Sequence, residues 1–112
     1  MKMRMNITSP LLYYSLKRIV LAKPNSSVFI VNILARTDNS PTDENPYNDM
    51  LEKVAHYFGL PVIDVRNKSG INPNVPGEKT LLIPDGLHPN VNGYKKMARC
   101  IVQHIKEWVI VE

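Results

Sequence analysis

The sequence predicts an α/β fold in which short parallel strands alternate with helices. The chain has 112 residues, of which 44% are hydrophobic and 21% charged. This is the balance of an ordinary globular domain, so we expect one domain over residues 1–112. Two runs of β-branched and apolar residues, 28–34 and 62–65, show no polar alternation, which is typical of strands buried on both faces of a parallel sheet. The segments around them have helical periodicity, as right-handed crossover connections require.

The first half of the chain predicts helix, strand, loop and helix. Ser9 suits an N-cap and Pro10 a first helical position. The predicted helix 10–22 then has apolar residues at helical spacing, namely Leu12, Leu16, Ile19 and Val20. Strand 28–34 follows, and the polar segment 36–46 indicates a surface loop. A second helix is expected from Pro46 or Tyr47 up to Gly59, with one apolar face made by Tyr47, Met50, Leu51, Val54 and Phe58.

The second half predicts a short strand, a loop and a long helix. Strand 62–65 contains Asp64, whose carboxylate we expect to orient the following loop by a hydrogen bond. Residues 66–78 contain several glycines and prolines and indicate a loop, and residues 80–83 are expected to be extended. The long amphipathic helix that follows has an apolar stripe formed by Tyr94, Met97, Ala98, Ile101, Val102, Ile105, Trp108 and Val109.

Composition and charge argue against several classes of protein. Fourteen basic and ten acidic residues give a net charge of +4. The basic residues are spread along the chain, which disfavours nucleic acid as a partner. No apolar stretch has the length of a signal-peptide core or the roughly 20 residues that cross a bilayer, so we expect a cytoplasmic chain with no membrane partner.

Few residues are placed to bind a metal or a cofactor, and we expect neither to be bound. Cys100 has no second cysteine to pair with, and we expect a small buried thiol. Cys100 and His104, four residues apart, would supply only two metal ligands. His56 and His104 lie beside the apolar faces of predicted helices, which favours helix-surface or partly packed side chains.

The segment Asp85-Gly86-Leu87-His88-Pro89 is where residue types and spacing suggest a reaction. On a turn, the Asp85 carboxylate could accept a hydrogen bond from Nδ1–H of His88 and leave Nε2 to act as a base. The alternative is that Asp85 caps a turn and His88 is a half-exposed loop residue. Spacing alone favours that alternative, because Asp-x-x-His pairs are common.

The string DGLHPNVNGYKKMA, residues 85–98, resembles the last conserved block of the SGNH or GDSL hydrolases. In that family an Asp and a His three residues later join a serine in a catalytic triad. The order of helices and strands over residues 10–108 also resembles the C-terminal half of the family. The resemblance implies a partial three-layer α/β/α, flavodoxin-like fold with a short parallel sheet. It further implies that Asp85 orients His88, that His88 is the general base, and that an ester is cleaved through a serine acyl-enzyme without a cofactor.

The chain lacks other parts of the family pattern. It contains no Gly-Asp-Ser block, and no counterpart of the glycine and the Gly-x-Asn-Asp block that stabilise the oxyanion, since Gly59 is its first glycine. The serines fit caps, helix surface or loops: Ser9, Ser15, Ser26, Ser27, Ser40 and Ser69. We therefore expect the C-terminal portion of an ester hydrolase, inactive until a serine-bearing half is supplied. The alternative is a non-catalytic unit that works by association, and a small basic binding module is a third interpretation.

Self-association follows from the same comparison. In the resembled fold, strand 28–34 is internal, and one of its neighbours belongs to the half that is missing here. A long apolar strand edge without proline or charge is a template for pairing. We expect a homodimer or larger assembly through that edge, unless residues 1–7 fold back over it as an additional strand.

Overall fold

The computed structural model describes residues 8–108 and has a mixed α/β fold. Its elements, in chain order, are α1 (Thr8–Ala22), β1 (Ile30–Val31), α2 (Pro46–Tyr57), β2 (Val62–Ile63), α3 (Val65–Lys68), α4 (Glu78–Leu82) and α5 (Val91–Trp108). The two strands form a parallel two-stranded sheet. The predicted α/β class is confirmed at this level. Within the described range, no helix combines the length and apolar character needed to cross a bilayer.

The contacts divide the described chain into two compact units. The first contains residues 8–30 and 46–62, and the second contains residues 31–45 and 63–108. Each unit has its own buried residues. The expectation of one domain over residues 1–112 stays a prediction.

The first unit is a helix pair. α1 packs on α2, and the buried side chains are Leu16 of α1 with Val54 and Ala55 of α2. The predicted helix 10–22 is confirmed and begins two residues earlier, at Thr8; the Ser9 side chain lies outside the described ones. The expected apolar faces are only partly buried, because Ile19 and Tyr47 are exposed.

Aromatic rings form the second contact in this helix pair. The ring of Tyr13 lies 5.5 Å from that of Tyr57 and 5.4 Å from that of Phe58, between centroids. Tyr13 also meets Tyr14 edge-on at 5.2 Å, and Tyr57 meets Phe58 edge-on at 5.1 Å. These are favourable geometries for aromatic pairs, so the cluster extends the small aliphatic core of this unit.

The second unit has its core beneath α5. Ile71, Leu82 and Ile83 form a buried cluster, against which Leu34 and Met97 pack. α5 contacts α3 and α4, and the buried thiol of Cys100 confirms the prediction for that residue. The apolar stripe predicted for α5 is wider than the surface that these elements cover. Tyr94, Val102 and Trp108 are exposed rather than in the core, and Val109 lies outside the described residues.

Both predicted strands are shorter in the structure. Strand pairing in the described chain covers Ile30–Val31 and Val62–Ile63 instead of 28–34 and 62–65. The parallel pairing uses Ile30 N donating to Pro61 O at 3.0 Å and Asn32 N donating to Ile63 O at 3.2 Å. β2 ends at Ile63 because α3 begins at Val65. β1 therefore cannot pair with β2 over a longer stretch. The expectation of burial on both faces is wrong for 28–34, since Val31 and Ile33 are 38% and 40% exposed.

The segment between β2 and α5 contains two short helices that the sequence analysis missed. Asp64 is the N-cap of α3, where its Oδ1 accepts a hydrogen bond from Asn67 N at 3.1 Å. This confirms the loop-orienting role expected for Asp64. The expected extended segment 80–83 is wrong, because residues 78–82 form α4. Gly77, with φ of +89°, turns the chain immediately before α4.

Candidate functional site

The Asp85–His88 turn lies between the end of α4 and the start of α5. Gly86 N donates to Ile83 O at 2.8 Å, and Gly86 has φ of +76°. Glycine adopts this left-handed conformation without the steric cost that a Cβ would bring. The reversal at Gly86 brings the side chains of Asp85 and His88 to the same side of the turn, where they meet.

The predicted hydrogen bond between the two side chains is present. His88 Nδ1 lies 2.6 Å from Asp85 Oδ2. The other oxygen, Asp85 Oδ1, accepts from Leu87 N at 2.8 Å and from His88 N at 2.6 Å. Asp85 thus makes both of the contacts considered in the sequence analysis: it caps the turn through Oδ1 and contacts the imidazole through Oδ2. Its use in catalysis stays a prediction.

The electrostatics of the turn define the proton position on His88. The His88 backbone N–H, followed by the His88 ring and the Leu87 N–H, holds the pKa of the Asp85 carboxyl well below its usual range. Asp85 is therefore a carboxylate that only accepts, so Nδ1 of a neutral His88 carries the proton. Nε2, which makes no hydrogen bond to any described residue, then has the free lone pair. The His88 side chain is 72% exposed, which leaves Nε2 open to a reactant.

Thr37 supports the turn through its backbone and its side chain. Thr37 N donates to Gly86 O at 3.2 Å. A Cβ on Gly86 would lie 2.5 Å from Thr37 Cγ2 and 2.8 Å from Thr37 Oγ1. The close approach of Thr37 thus adds a second reason, besides φ, for glycine between the two site residues.

Arg66 in turn holds the loop that contains Thr37. Its side chain is buried, with 5% exposure, and it donates to the side-chain oxygen of Asn39 and to the carbonyl of Ser40, at 2.5 Å in the second case. Longer contacts of 3.4 Å join Arg66 to the carbonyls of Leu34 and Asp43. One guanidinium therefore contacts acceptors from both ends of the 34–43 loop, with Nη1 towards Leu34 and Nη2 towards the residues from Asn39 to Asp43.

Sequence reasoning missed both Thr37 and Arg66. Nothing near Arg66 in the sequence indicates a buried arginine, because its acceptors are 23 to 32 residues away. The glycine between Asp85 and His88 is the one local signal that another residue approaches the turn. It does not identify that residue.

Asn90 fixes the start of α5 after the turn. Its Oδ1 accepts from Gly93 N at 3.0 Å, as an N-cap does, and its Nδ2 donates to Leu81 O at 2.9 Å. Asn90 N also donates to Leu82 O at 2.9 Å. The site turn is therefore anchored to a helix on either side.

Other groups that the sequence suggested do not come together. Residues 8–108 contain no group of three or more His, Cys, Asp or Glu side chains that could hold a metal ion. His104 Nδ1 lies 3.4 Å from the carbonyl of Cys100 rather than from its thiol. No described serine side chain hydrogen-bonds to His88; Ser40 Oγ contacts Asp43 and Thr42, and Ser69 Oγ accepts from Ile71 N.

Comparisons with known proteins show a shared fold. No protein-family model matches the chain, and a search of curated proteins also gives no match. A crystal structure of an uncharacterised protein superposes with a TM-score of 0.74 at 22% sequence identity. The match covers 88% of this chain and 51% of that one, so this chain spans about half the length of the structure it resembles. Similarity at this level of identity establishes the fold alone.

Proposed function

We propose that this chain is the C-terminal portion of an SGNH or GDSL-type serine ester hydrolase, with a partial flavodoxin-like α/β/α fold. In this proposal Asp85 orients His88, and His88 is the general base. The 2.6 Å contact between Asp85 Oδ2 and His88 Nδ1 carries the proposal, because it sets the tautomer and the ring orientation that a triad needs.

The chemistry is that of serine acyl transfer. The hydroxyl of a serine outside this chain attacks the ester carbonyl while Nε2 of His88 takes its proton. The imidazolium, stabilised by the Asp85 carboxylate, then gives that proton to the departing alkoxide, which leaves as the alcohol. Water cleaves the acyl-enzyme by the same sequence. No metal or organic cofactor is needed for these steps.

We place the protein in the cytoplasm as part of the same proposal. Cys100 is the single cysteine in the sequence and its thiol is free and buried. Chains without disulfides are typical of reducing compartments.

Hydrolysis of a short-chain aryl ester tests the proposal. The purified chain alone is expected to show no hydrolysis above that of a His88→Ala variant, because its sequence lacks the Gly-Asp-Ser block and the oxyanion-stabilising blocks of the family pattern. Mixing it with a recombinant N-terminal half that carries a Gly-Asp-Ser block is expected to produce activity. His88→Ala should lower that activity about 10³-fold or more, since triad members act as a unit.

His56→Ala is the matched control, since His56 is an exposed histidine on α2. It should leave the activity of the mixture unchanged. Hydrolysis by the chain alone that one serine substitution abolishes would contradict the proposal. Equal activity of the His88→Ala and wild-type mixtures would also contradict it.

A second candidate function, self-association without catalysis, is favoured by the exposed side of the first strand. Val31 in β1 and Ile33 just after it are 38% and 40% exposed although both are large and apolar. We propose a homodimer that covers this segment with a second copy. The expected alternative, an added strand from residues 1–7, lies outside the described residues.

Sedimentation at micromolar concentration tests the dimer. The expected species has twice the monomer mass of 12.7 kDa. Val31→Lys should shift it to the monomer, because a charge would be buried in the interface. Val75→Lys, which places the same charge at a loop valine that is 42% exposed, should not. A monodisperse 12.7 kDa wild-type chain would exclude the dimer.

A further inference from the structure

A groove in the second unit, between the end of α3 and the later turns of α5, has the charge and size of a ligand site. Its volume is about 460 Å³, within the range of sites for small molecules. Buried Ser69 and buried Cys100 are among its lining residues. It shares no residue with the Asp85–His88 turn and stands independently of the proposed ester hydrolysis.

Positive charge dominates the groove. Lys68, Lys96 and Arg99 line it, and Glu107 is the one carboxylate among the described residues that do so. Neither Lys68 nor Arg99 forms an ion pair or a side-chain hydrogen bond with any residue in the range 8–108, and Lys96 Nζ donates to a single carbonyl, Gly70 O, at 3.2 Å. Three cations thus line one groove, and most of their donors have no acceptor among residues 8–108.

The thiol among the lining residues does not add a competing negative charge. Burial, together with the carboxylate of Asp64, raises the pKa of the Cys100 thiol, and Lys68 only partly opposes this. Cys100 is therefore neutral at pH 7. Gln103, also in the lining, offers a further amide donor.

We propose that this groove binds the phosphate group of a small phosphate ester, held by Lys68, Lys96 and Arg99. A phosphate dianion has enough terminal oxygens to accept from the planar fork of Arg99 and from two ammonium groups at once. A carboxylate, with one charge and two oxygens, would leave part of this donor set unused. The groove volume of about 460 Å³ suits a small ester better than an extended polymer, whose backbone would need a longer basic track.

Titration of the full-length ¹⁵N-labelled chain with inorganic pyrophosphate, followed by amide NMR, tests the proposal. Saturable shifts are expected at the end of α3 and along the second half of α5. The double variant Lys96→Gln/Arg99→Gln should weaken the affinity about tenfold or more, because it removes two charge-assisted contacts. The matched control is Lys17→Gln/Arg18→Gln, which removes two exposed charges from α1 in the other unit.

The outcomes separate the site from general attraction to a basic protein. An equal loss of affinity in both double variants, or shifts that do not saturate, would overturn the site. Citrate binding as tightly as pyrophosphate would overturn the preference for phosphate. A short single-stranded DNA that bound more tightly than pyrophosphate at the same salt concentration would overturn the small-ester assignment. Loss confined to the groove variant, with weaker citrate and DNA binding, supports the proposal.

Discussion

The two units of this protein are stabilised by different kinds of contact. In the helix pair of the first unit, the aromatic rings of Tyr13, Tyr57 and Phe58 supply much of the contact besides a few aliphatic side chains. In the second unit, three charged side chains bind backbone groups. Arg66 binds a loop, Asp64 binds the start of a helix, and Asp85 binds a turn. Ring contacts tolerate small displacements, whereas hydrogen bonds require distance and direction. The candidate site thus lies in the unit whose geometry is the more tightly defined.

The largest effect is expected where the turn meets its supporting loop. Gly86→Ala should lower the free energy of unfolding by about 3 kcal/mol, from backbone strain at φ of +76° plus collision with Thr37. Gly77→Ala is the control, because Gly77 has φ of +89° but nothing within 4 Å of an added Cβ. It should cost about 1 kcal/mol. Urea denaturation measures both, and equal losses would show that the Thr37 contact contributes nothing.

The second-largest loss of stability is expected when the buried guanidinium of Arg66 is removed. Arg66→Met keeps an unbranched apolar side chain but leaves the acceptors in the 34–43 loop without their donor. The free energy of unfolding should fall by about 2–3 kcal/mol. Arg36→Met removes an exposed ion pair with Asp38, for which little change is expected. Thermal or urea denaturation distinguishes the two variants. A similar loss in both would mean that Arg66 acts only as a surface charge.

The aromatic cluster offers the matching test in the first unit. Phe58→Ala should lower the free energy of unfolding by about 1–2 kcal/mol, because a half-buried ring with two ring neighbours is lost. Tyr47→Ala removes an exposed ring from α2, the helix that Phe58 directly follows, and should change stability by less than about 0.5 kcal/mol. If Phe58→Ala cost more than Arg66→Met, the contrast between the two units would be reversed.

The smallest effect concerns pH. Because hydrogen bonds lower the pKa of folded Asp85 below the roughly 3.9 of an unfolded chain, its stabilising contribution is present above about pH 4 and is lost as pH falls through the folded pKa. Asp85→Asn keeps an oxygen that accepts from the turn but loses the charge. The stability difference between wild type and variant should therefore shrink as pH falls below about 4. A difference that persists unchanged to pH 3 in urea titrations would contradict this.

Helices with clear periodicity could be predicted from the sequence, and short apolar segments could not. α1, α2 and α5 match expectation within a few residues, since each has caps or stops and several apolar turns. Leu81, Leu82 and Ile83 are too few to distinguish a helix from a strand by period; the two leucines end α4 and Ile83 is its C-cap. Strand 28–34 was overestimated because pairing length depends on the partner, which ends at Asp64 where α3 is capped.

The candidate site was predictable to the extent that it is local. Asp85 and His88 are three residues apart, and their contact follows from one turn. Thr37 binds the turn and Arg66 binds the loop that contains Thr37, in both cases through hydrogen bonds between segments distant in sequence. No pattern around either residue indicates these contacts. The cations of the groove were visible in the sequence, but their convergence depends on how α3 and α5 pack.

Asn32 gives the sheet a means of fixing its register. Its side chain donates from Nδ2 to Asp64 Oδ1 at 2.7 Å and accepts at Oδ1 from Arg66 N at 3.1 Å. The rest of its run, VFIVNIL, is apolar on both sides and would accept a slip by one residue with little hydrophobic cost. Such a slip would turn the Asn32 amide to the opposite face and break both bonds. A single polar residue therefore selects one alignment of the strands that the apolar pattern leaves undetermined.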